Sequence, residues 1–399
     1  MTIATKLTPL IVLIVLFLAP SIPAKIGPGG TVRTICLGDV IDQYGGFNSF
    51  VVIRTDPAID TTLVPSRPTY SGLNVVIRNM RIYMPRTYDL LVENYDLVLT
   101  SDMDQEVFKA RWILWLSDSV TDGGCDLLWL GSIVHFGKDT IDWRGTTLAE
   151  ILPVNPTEPY DTSGSFRVII EMHDEPLMEA LPWERAPPLA NLHTESPKQG
   201  SQLWATIKHP KAYPLMTHWK IGEGAVLCFA SKSPGGVEPW VRDWDYYQQA
   251  MIYLVYRTAG KELPGDPLLY HKLLSGFSEY KQMNSMVLSL FSFIETFGGR
   301  VDRLYQRLDE LAVEKGHADD AYMESSFDEC LEIMSEIKAE QHSLIEASLK
   351  ERDTALLWVH ITEWCATTAA LILGSMLVWA LMIRRSLYRD IEATRIQPG

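Results

Sequence analysis

Apolar and polar positions follow four successive regimes along this chain of 399 residues. Near the start, Lys6 precedes an unbroken apolar run over residues 10–19, followed by Pro20, Ser21, Ile22, Pro23 and the small residue Ala24. A basic residue, a short apolar run and a small-residue end predict a secretory leader over residues 1–24. At about 15 Å of helix the run covers only half of a ~30 Å hydrocarbon core, so export with cleavage is expected before permanent anchoring.

From about residue 31 to residue 260, short β-rich runs alternate with helical patterns, which predicts an α/β domain. Strands are expected over residues 31–37, 95–100 (YDLVLT) and 126–130, with a helix over 107–120 carrying Trp112, Ile113, Trp115 and Leu116 on its apolar face. Residues 214–219 and 225–230 read as paired strands around Gly222 and Gly224. Residues 246–256 read as an apolar helix, and Leu263, Pro264, Gly265 and Asp266 mark a boundary.

Beyond that boundary the apolar residues recur every three or four positions. Leu273, Phe277, Tyr280, Met283, Val287, Leu290, Phe291 and Ile294 predict one amphipathic helix over 269–294, and Val301, Leu304, Leu308 and Leu311 a second over 300–315. A third is expected to begin near Asp319, with Phe327, Leu331, Met334 and Ile337 on one face. No Pro or Gly occurs between Asp319 and Leu373, so this helix is expected to run unbroken toward the C-terminus as a stalk. The charge-rich stretch 324–352 fits a solvated helix face, and also a coiled-coil partner surface.

Residues 366–383 contain no charge and no proline and are bounded by Glu363 and by Arg384 and Arg385. That length is enough to span a bilayer, and Trp358, Trp364 and Tyr388 sit where interfacial aromatic residues gather. Arg384, Arg385, Arg389 and Arg395 outweigh Lys350 and Arg352 on the other flank, which places the C-terminus in the cytoplasm and the folded body outside. The expected organisation is a leader over 1–24, an exported α/β domain over 25–262 and a helical stalk over 263–357. A transmembrane helix with its outer flank over 358–384 and a cytoplasmic tail over 385–399 complete it.

Composition adds limits. With 47% hydrophobic and 21% charged residues the chain has apolar surface for a sizeable core. Its 35 Lys and Arg against 50 Asp and Glu give a net charge of −15, which argues against nucleic acid as a partner. The expected partners are the lipid bilayer and a protein, or a second copy, reached through the stalk. The five cysteines, Cys36, Cys125, Cys228, Cys330 and Cys365, are an odd set, read as buried free thiols in preference to a disulfide. Asn155 is followed by Pro156, so no glycosylation sequon is present.

The segments YDLVLTSD, WILWLSDSV, DGGCDLLWLGS, TTLAEILPV, HDEPLMEALPW and HWKIGEGAVLCFAS together resemble the class I glutamine amidotransferase-like family, over residues 88–257. LLWVHITEWCATTAALILGS and RRSLYRDIEATR also resemble the tail of archaeal membrane-anchored members. The resemblance implies a flavodoxin-like, mostly parallel sheet flanked by helices. It also implies a nucleophilic Cys in the turn after residues 126–130 and a His and Glu after residues 225–230. The first turn offers Gly131, Ser132 and Ile133, and the second Ser231, Lys232, Ser233, Pro234, Gly235 and Gly236. Nucleophile, base and orienting acid are all absent from the places implied, so glutamine hydrolysis is not expected.

A ligand crevice is still expected outside the C-terminal ends of the strands, around Gly131, Ser132, His135, Phe136 and Gly137. Two other chemistries have candidate residues in the sequence. Ser132 lies in a Gly-Ser turn, but the G-x-S-x-G elbow is not met and His135 follows too closely to serve as its base. His173, Asp174 and Glu175, or His193 and Glu195, carry metal-ligand side chains at spacings that match no specific site. Neither a catalytic residue, a metal nor a cofactor is expected, and Trp129, Trp143, Trp183, Trp204, Trp219, Trp240 and Trp244 are expected to serve mainly in packing. The function expected is that of a membrane-anchored ligand- or protein-binding or scaffold domain. An unorthodox hydrolase or transferase at Ser132, or a structural membrane subunit, is the alternative.

Overall fold

The computed structural model describes residues 26–27, 30–40, 48–68, 71–131, 142–208, 211–231 and 239–394. The expected leader lies outside these residues. The chain divides into two compact units, Met1–Ser275 with Ala321–Phe327, and Gly276–Asp320 with Asp328–Gly399.

The first unit is a mixed α/β domain. In chain order its early elements are β1 (Val32–Gly38), α1 (Ser49–Ile53), β2 (Ile59–Pro65), α2 (Leu73–Tyr83), α3 (Tyr88–Asn94), β3 (Leu97–Ser101), α4 (Ala110–Thr121) and β4 (Asp126–Leu130). There follow α5 (Thr147–Ile151), β5 (Val154–Phe166), β6 (Val168–Ile170), α6 (Pro176–Ala180), β7 (Leu189–Pro197), β8 (Gln202–Lys208), β9 (Ala212–Ile221) and β10 (Gly224–Phe229). Helices α7 (Pro239–Arg242) and α8 (Tyr247–Thr258) complete the sheet region.

Eight strands form one sheet in the order β2-β1-β3-β4-β10-β9-β8-β6. The pairs β2–β1, β1–β3, β3–β4 and β4–β10 are parallel, whereas β10–β9, β9–β8 and β8–β6 are antiparallel. The sheet is thus mixed and parallel-rich, with four parallel and three antiparallel pairings. The reason lies in the connections: β9 and β10 are joined by a tight turn at Gly222, whose length permits only antiparallel return, while β1 and β2, and β3 and β4, are each joined through a helix. The strands β3 and β4 are buried along their whole length, as apolar runs covered on both faces must be. β5 and β7 form a separate antiparallel pair with two register shifts.

Buried carboxylates tie down the starts of strands. Asp96 accepts hydrogen bonds from Arg33 N at 2.8 Å and Arg33 Nη2 at 2.6 Å, and Asp126 Oδ1 accepts from Ala225 N at 2.7 Å. Each satisfies a backbone or guanidinium donor that burial would otherwise leave costly.

The remaining helices are α9 (Pro267–Thr296), α10 (Asp302–Met323) and α11 (Phe327–Thr394). The third helix does not begin near Asp319, which lies inside α10. The break comes at Ser325, whose φ of 61° is the left-handed conformation usually taken by glycine. Ser326 N donates to Ala321 O at 2.9 Å and Ser325 N to Tyr322 O at 3.0 Å, so two terminal carbonyls of α10 are capped without Gly or Pro.

Within the second unit the predicted apolar faces are buried: Val287, Phe291 and Ile294 of α9, Leu304 and Leu311 of α10, and Met334, Ile337 and Leu344 of α11. Lys338 pairs with Glu279 at 2.6 Å, and Gln341 Nε2 donates to Tyr280 O at 3.2 Å. The later part of α11 is long and apolar enough to cross a membrane, and none of its most apolar window is buried.

Candidate functional site

The C-terminal ends of the parallel strands come together around the loop after β2. Ser66 N donates to Gly38 O at 2.9 Å, and Ser66 O accepts from Asp104 N at 3.0 Å, so one residue bridges the end of β1 and the loop after β3. A Cβ on Gly38 would lie 1.8 Å from Ser101 O, which is why the end of β1 carries no side chain. Next along the chain, Arg67 pairs with Asp102, their side chains being 15% and 14% exposed. Asp102 has a φ of 52°, a conformation Asp tolerates better than most residues. Ser66 Oγ and Thr100 Oγ1 are buried with no hydrogen-bond partner among the described residues. The strand ends therefore present a half-buried ion pair next to hydroxyls with unused capacity.

Of the expected crevice residues, Gly131 belongs to this edge. It follows β4, is buried with a φ of 108°, and a Cβ there would lie 3.7 Å from Asp102 Oδ1. Its N–H donates to Phe229 O at 3.0 Å, so that amide is engaged with the neighbouring strand and is not offered to a ligand. Ser132, His135, Phe136 and Gly137 lie outside the described residues.

The end of β10 is covered by β7. His193 N donates to Ala230 O at 3.0 Å, Leu192 bridges to Ser231, and His193 and Glu195 are both buried. Burial, and then the Glu195 charge, hold the Cys228 thiol well above its ordinary value despite Lys198. A protonated, enclosed thiol is a poor nucleophile. Cys36 is likewise raised by burial, and Cys330 is pushed up to about 11. Cys125 lies before β4, where its Sγ donates to Tyr95 O at 3.1 Å. All five cysteines are free, and only Cys365 is exposed.

His173 and Asp174 are exposed, while Glu175 is buried and binds Arg257 through Nε and, at 3.1 Å, through Nη2. Arg257 lies 5.1 Å from the centre of the Trp204 ring, which stacks on His218 at 4.8 Å. Burial first, then the Arg257 charge, pushes His218 down to about 4, against the opposing charge of Glu175. Among the described residues, no group of three or more His, Cys, Asp or Glu could hold a metal ion.

One cluster had no sequence signal. Asp56 is 2% exposed, and its Oδ2 accepts the hydroxyls of Tyr256 at 2.7 Å, Tyr322 at 2.9 Å and Tyr270. Its Oδ1 accepts from Ala58 N at 2.7 Å. Burial raises the Asp56 carboxyl against the opposing effect of these donors, and it raises all three tyrosines as well. A cavity of about 280 Å³ borders Tyr256, Tyr322, Lys261 and Phe327. The tyrosines come from segments 200 and more residues away, which no local pattern reveals.

The tryptophans are mostly interior. Trp143 packs edge-on to Trp129 at 5.9 Å and to Phe108 at 5.5 Å, and Trp183, Trp204, Trp240 and Trp244 are buried, with Trp219 intermediate.

No family model matches the chain, and no curated protein matches it. Among solved structures it is similar to cytoplasmic protein STM1381 from Salmonella typhimurium LT2, with 20% identity and a TM-score of 0.46, covering 57% of this chain and 99% of that one. It is also similar to cytoplasmic protein STM3548 from Salmonella typhimurium, with 16% identity, a TM-score of 0.45, and 56% and 97% of the two chains covered. A β-galactosidase from Rahnella sp. R3 follows at 12% identity and a TM-score of 0.36, with 59% of this chain and 33% of that enzyme covered. These structures are not glutamine amidotransferases, and with no family model in support the expected membership in that family is corrected. The physical reason is that YDLVLTSD and DGGCDLLWLGS are buried strands ending in turns, and WILWLSDSV is a covering helix. Any parallel strand–turn–helix sheet with this pattern of burial selects such segments.

Proposed function

We propose that this chain is a single-pass membrane protein whose α/β unit is a ligand- or protein-binding module displayed outside the cytoplasm. The observation that carries the reading is the unburied apolar part of α11, followed by Arg384 and Arg385. An apolar face of that length left in water would be costly, whereas a bilayer covers it. The arginines after it favour a cytoplasmic C-terminus.

The strand order β2-β1-β3-β4-β10 of the parallel half supports a flavodoxin-like arrangement, with a switch point between β1 and β3. Crevices that bind ligands open at such points, at the C-terminal ends of the strands, and here that place holds Arg67, Asp102, Ser66 and Gly131. The buried, protonated thiols favour binding over cysteine chemistry.

Topology is tested by protease treatment of intact cells carrying an epitope after Gly399. The reading expects the α/β unit to be digested and the epitope protected; the reverse pattern overturns it. Binding is tested by copurification from native membranes with wild type and Arg67→Ala. A partner that is retained by wild type and lost from the folded variant supports the crevice. Turnover of a substrate that disappears in Ser132→Ala would replace the binding reading with an enzymatic one.

A further inference from the structure

Helix α9 carries a second apolar stripe beside the one buried in its own unit. Val287, Phe291 and Ile294 are buried, whereas Met286, Phe293 and, just past the helix end, Phe297 are exposed by 49%, 40% and 37%. With the half-buried Met283 and Leu290 they recur at alternating spacings of three and four residues, the heptad spacing of a coiled-coil seam. The rings of Phe293 and Phe297 lie 4.7 Å apart. Residues 282–294 include no charge, although the exposed surfaces of α10, and of α11 as far as Asp353, carry charged residues throughout. A helix face that meets only water is ordinarily polar and charged.

The bilayer does not reach this stripe. Glu279 pairs with Lys338 and Tyr280 O accepts from Gln341, while a Cβ on Gly299 would lie 3.2 Å from Ala355 Cβ, so α9 and α11 run in the same direction within the unit. Ala355 precedes the apolar run at Ala366 by about 16 Å of helix, and the stripe extends from that level away from the run, beyond a headgroup zone of about 5–7 Å. The area is also small. At about 200 Å² for a free side chain of this size, the three exposed residues present roughly 250 Å² per copy, so a pair would bury about 500 Å² through them. Partners that assemble from solution bury about 1,200 Å² or more. Copies already held in one membrane need less, because confinement replaces much of the cost of encounter.

Symmetry makes the same choice. Spans inserted in one direction restrict a pair of copies to a two-fold axis along the membrane normal. Because α9 follows the direction of α11, that axis sets α9 beside α9, parallel and in register, with each stripe residue opposite itself. A charge there would face its like, and the stripe has none.

We propose that α9 is a homodimer interface: two copies in one bilayer pair their α9 helices in parallel through Met283, Met286, Leu290, Phe293 and Phe297. This rests on the membrane-spanning reading of α11.

The test uses the full chain carrying Cys365→Ser, reconstituted into phosphatidylcholine vesicles and oxidised with copper phenanthroline. Single cysteines are placed by Met286→Cys, Leu290→Cys or Phe293→Cys, or by Leu288→Cys, which is 44% exposed but about 200° round the helix from Met286. Met286→Cys and Phe293→Cys should each form disulfide-linked dimers at least about tenfold faster than Leu288→Cys. Adding Met286→Glu/Phe293→Glu to Leu290→Cys should slow its crosslinking about tenfold by setting like charges opposite one another, with the unfolding midpoint unchanged. Equal rates at Met286, Phe293 and Leu288 would overturn the proposal. So would crosslinking at Leu290→Cys alone, the mark of an antiparallel pair centred there, or a glutamate variant that crosslinks as fast as its parent. Alkaline carbonate separates the two ideas. Protein that it extracts from the vesicles defeats the span and the parallel pairing together. Protein that stays embedded without preferring the stripe cysteines defeats the interface alone.

Discussion

Tyr322 Oη lies 2.9 Å from Asp56 Oδ2 although 266 residues separate them. The contact joins the last turn of α10 to the loop between α1 and β2, within one compact unit. Tyr256 and Tyr270 converge on the same oxygen, and Tyr322 Oη lies 3.1 Å from Tyr270 Oη, so the carboxylate is the common acceptor of a closed polar network. Such a network stabilises only while every member keeps its partner.

Asp56→Ala removes the common acceptor of three buried hydroxyls and of the Ala58 N–H. The expected loss is about 3 kcal/mol or more, whereas Tyr322→Phe, which deletes one donor from a shared oxygen, should cost about 1 kcal/mol. Thermal and urea unfolding of the detergent-solubilised full chain measure both. Equal small losses would mean the network is not satisfied as described.

The strands that determine where the sheet edge lies were legible because their apolar runs are short and uninterrupted: residues 126–130 match β4, and 95–100 overlap β3. β2 was missed because Asp60, Thr61 and Thr62 dilute its apolar pattern, its other support being backbone pairing with β1. β5 and β7 were missed for a related reason, since Pro156 and Gly164 read as turn residues and the register shifts absorb them. The end of α10 was misplaced because a serine, not a glycine, takes the left-handed position. At the site, Gly131 after a buried strand was readable from chain-local pattern. Arg67–Asp102 and the tyrosines around Asp56 were not, since each pairing is made between distant segments by tertiary packing.

His218 provides a pH dependence with a definite sign. Its value in the fold is about 4, below the ordinary value of about 6.5, so the neutral ring is favoured in the folded state. Its contribution is therefore complete above about pH 6.5 and is lost as pH falls toward about 4. Asp56 acts in the opposite sense: a raised carboxyl favours the protonated form, and stability declines as pH rises through and above the ordinary carboxylate range. His218→Phe keeps a ring against Trp204 and removes the titration. Urea midpoints compared near neutrality and at about pH 4.5 should fall on acidification by less in this variant than in wild type. An equal fall would show that His218 does not contribute.

Gly38→Ala tests how tightly the strand ends are packed. The new methyl would sit 1.8 Å from Ser101 O, and the φ of 152° is itself unfavourable for a side chain. The obstacle is backbone in the adjacent strand, so no side-chain rotation relieves it, and a loss of about 3 kcal/mol or more is expected. Lowered yield together with a lowered unfolding midpoint is the outcome to look for. A variant as stable as wild type would mean that β1 and β3 separate easily at this end.

Thiol accessibility tests the burial of the core through chemistry alone. Cys36, Cys125, Cys228 and Cys330 are buried and Cys365 is exposed, and only thiolates that reach solvent react quickly. An uncharged maleimide should therefore label one of the five cysteines rapidly in the native, detergent-solubilised chain, and all five after denaturation. Cys365→Ser should abolish the fast phase. The slow sites should react at the rate of unfolding, since Cys36 and Cys228 lie within β1 and β10, whose neighbours must separate before reagent can enter. Rapid labelling at Cys228 would place that thiol at a solvent-accessible site and remove the main argument against cysteine chemistry at the end of β10.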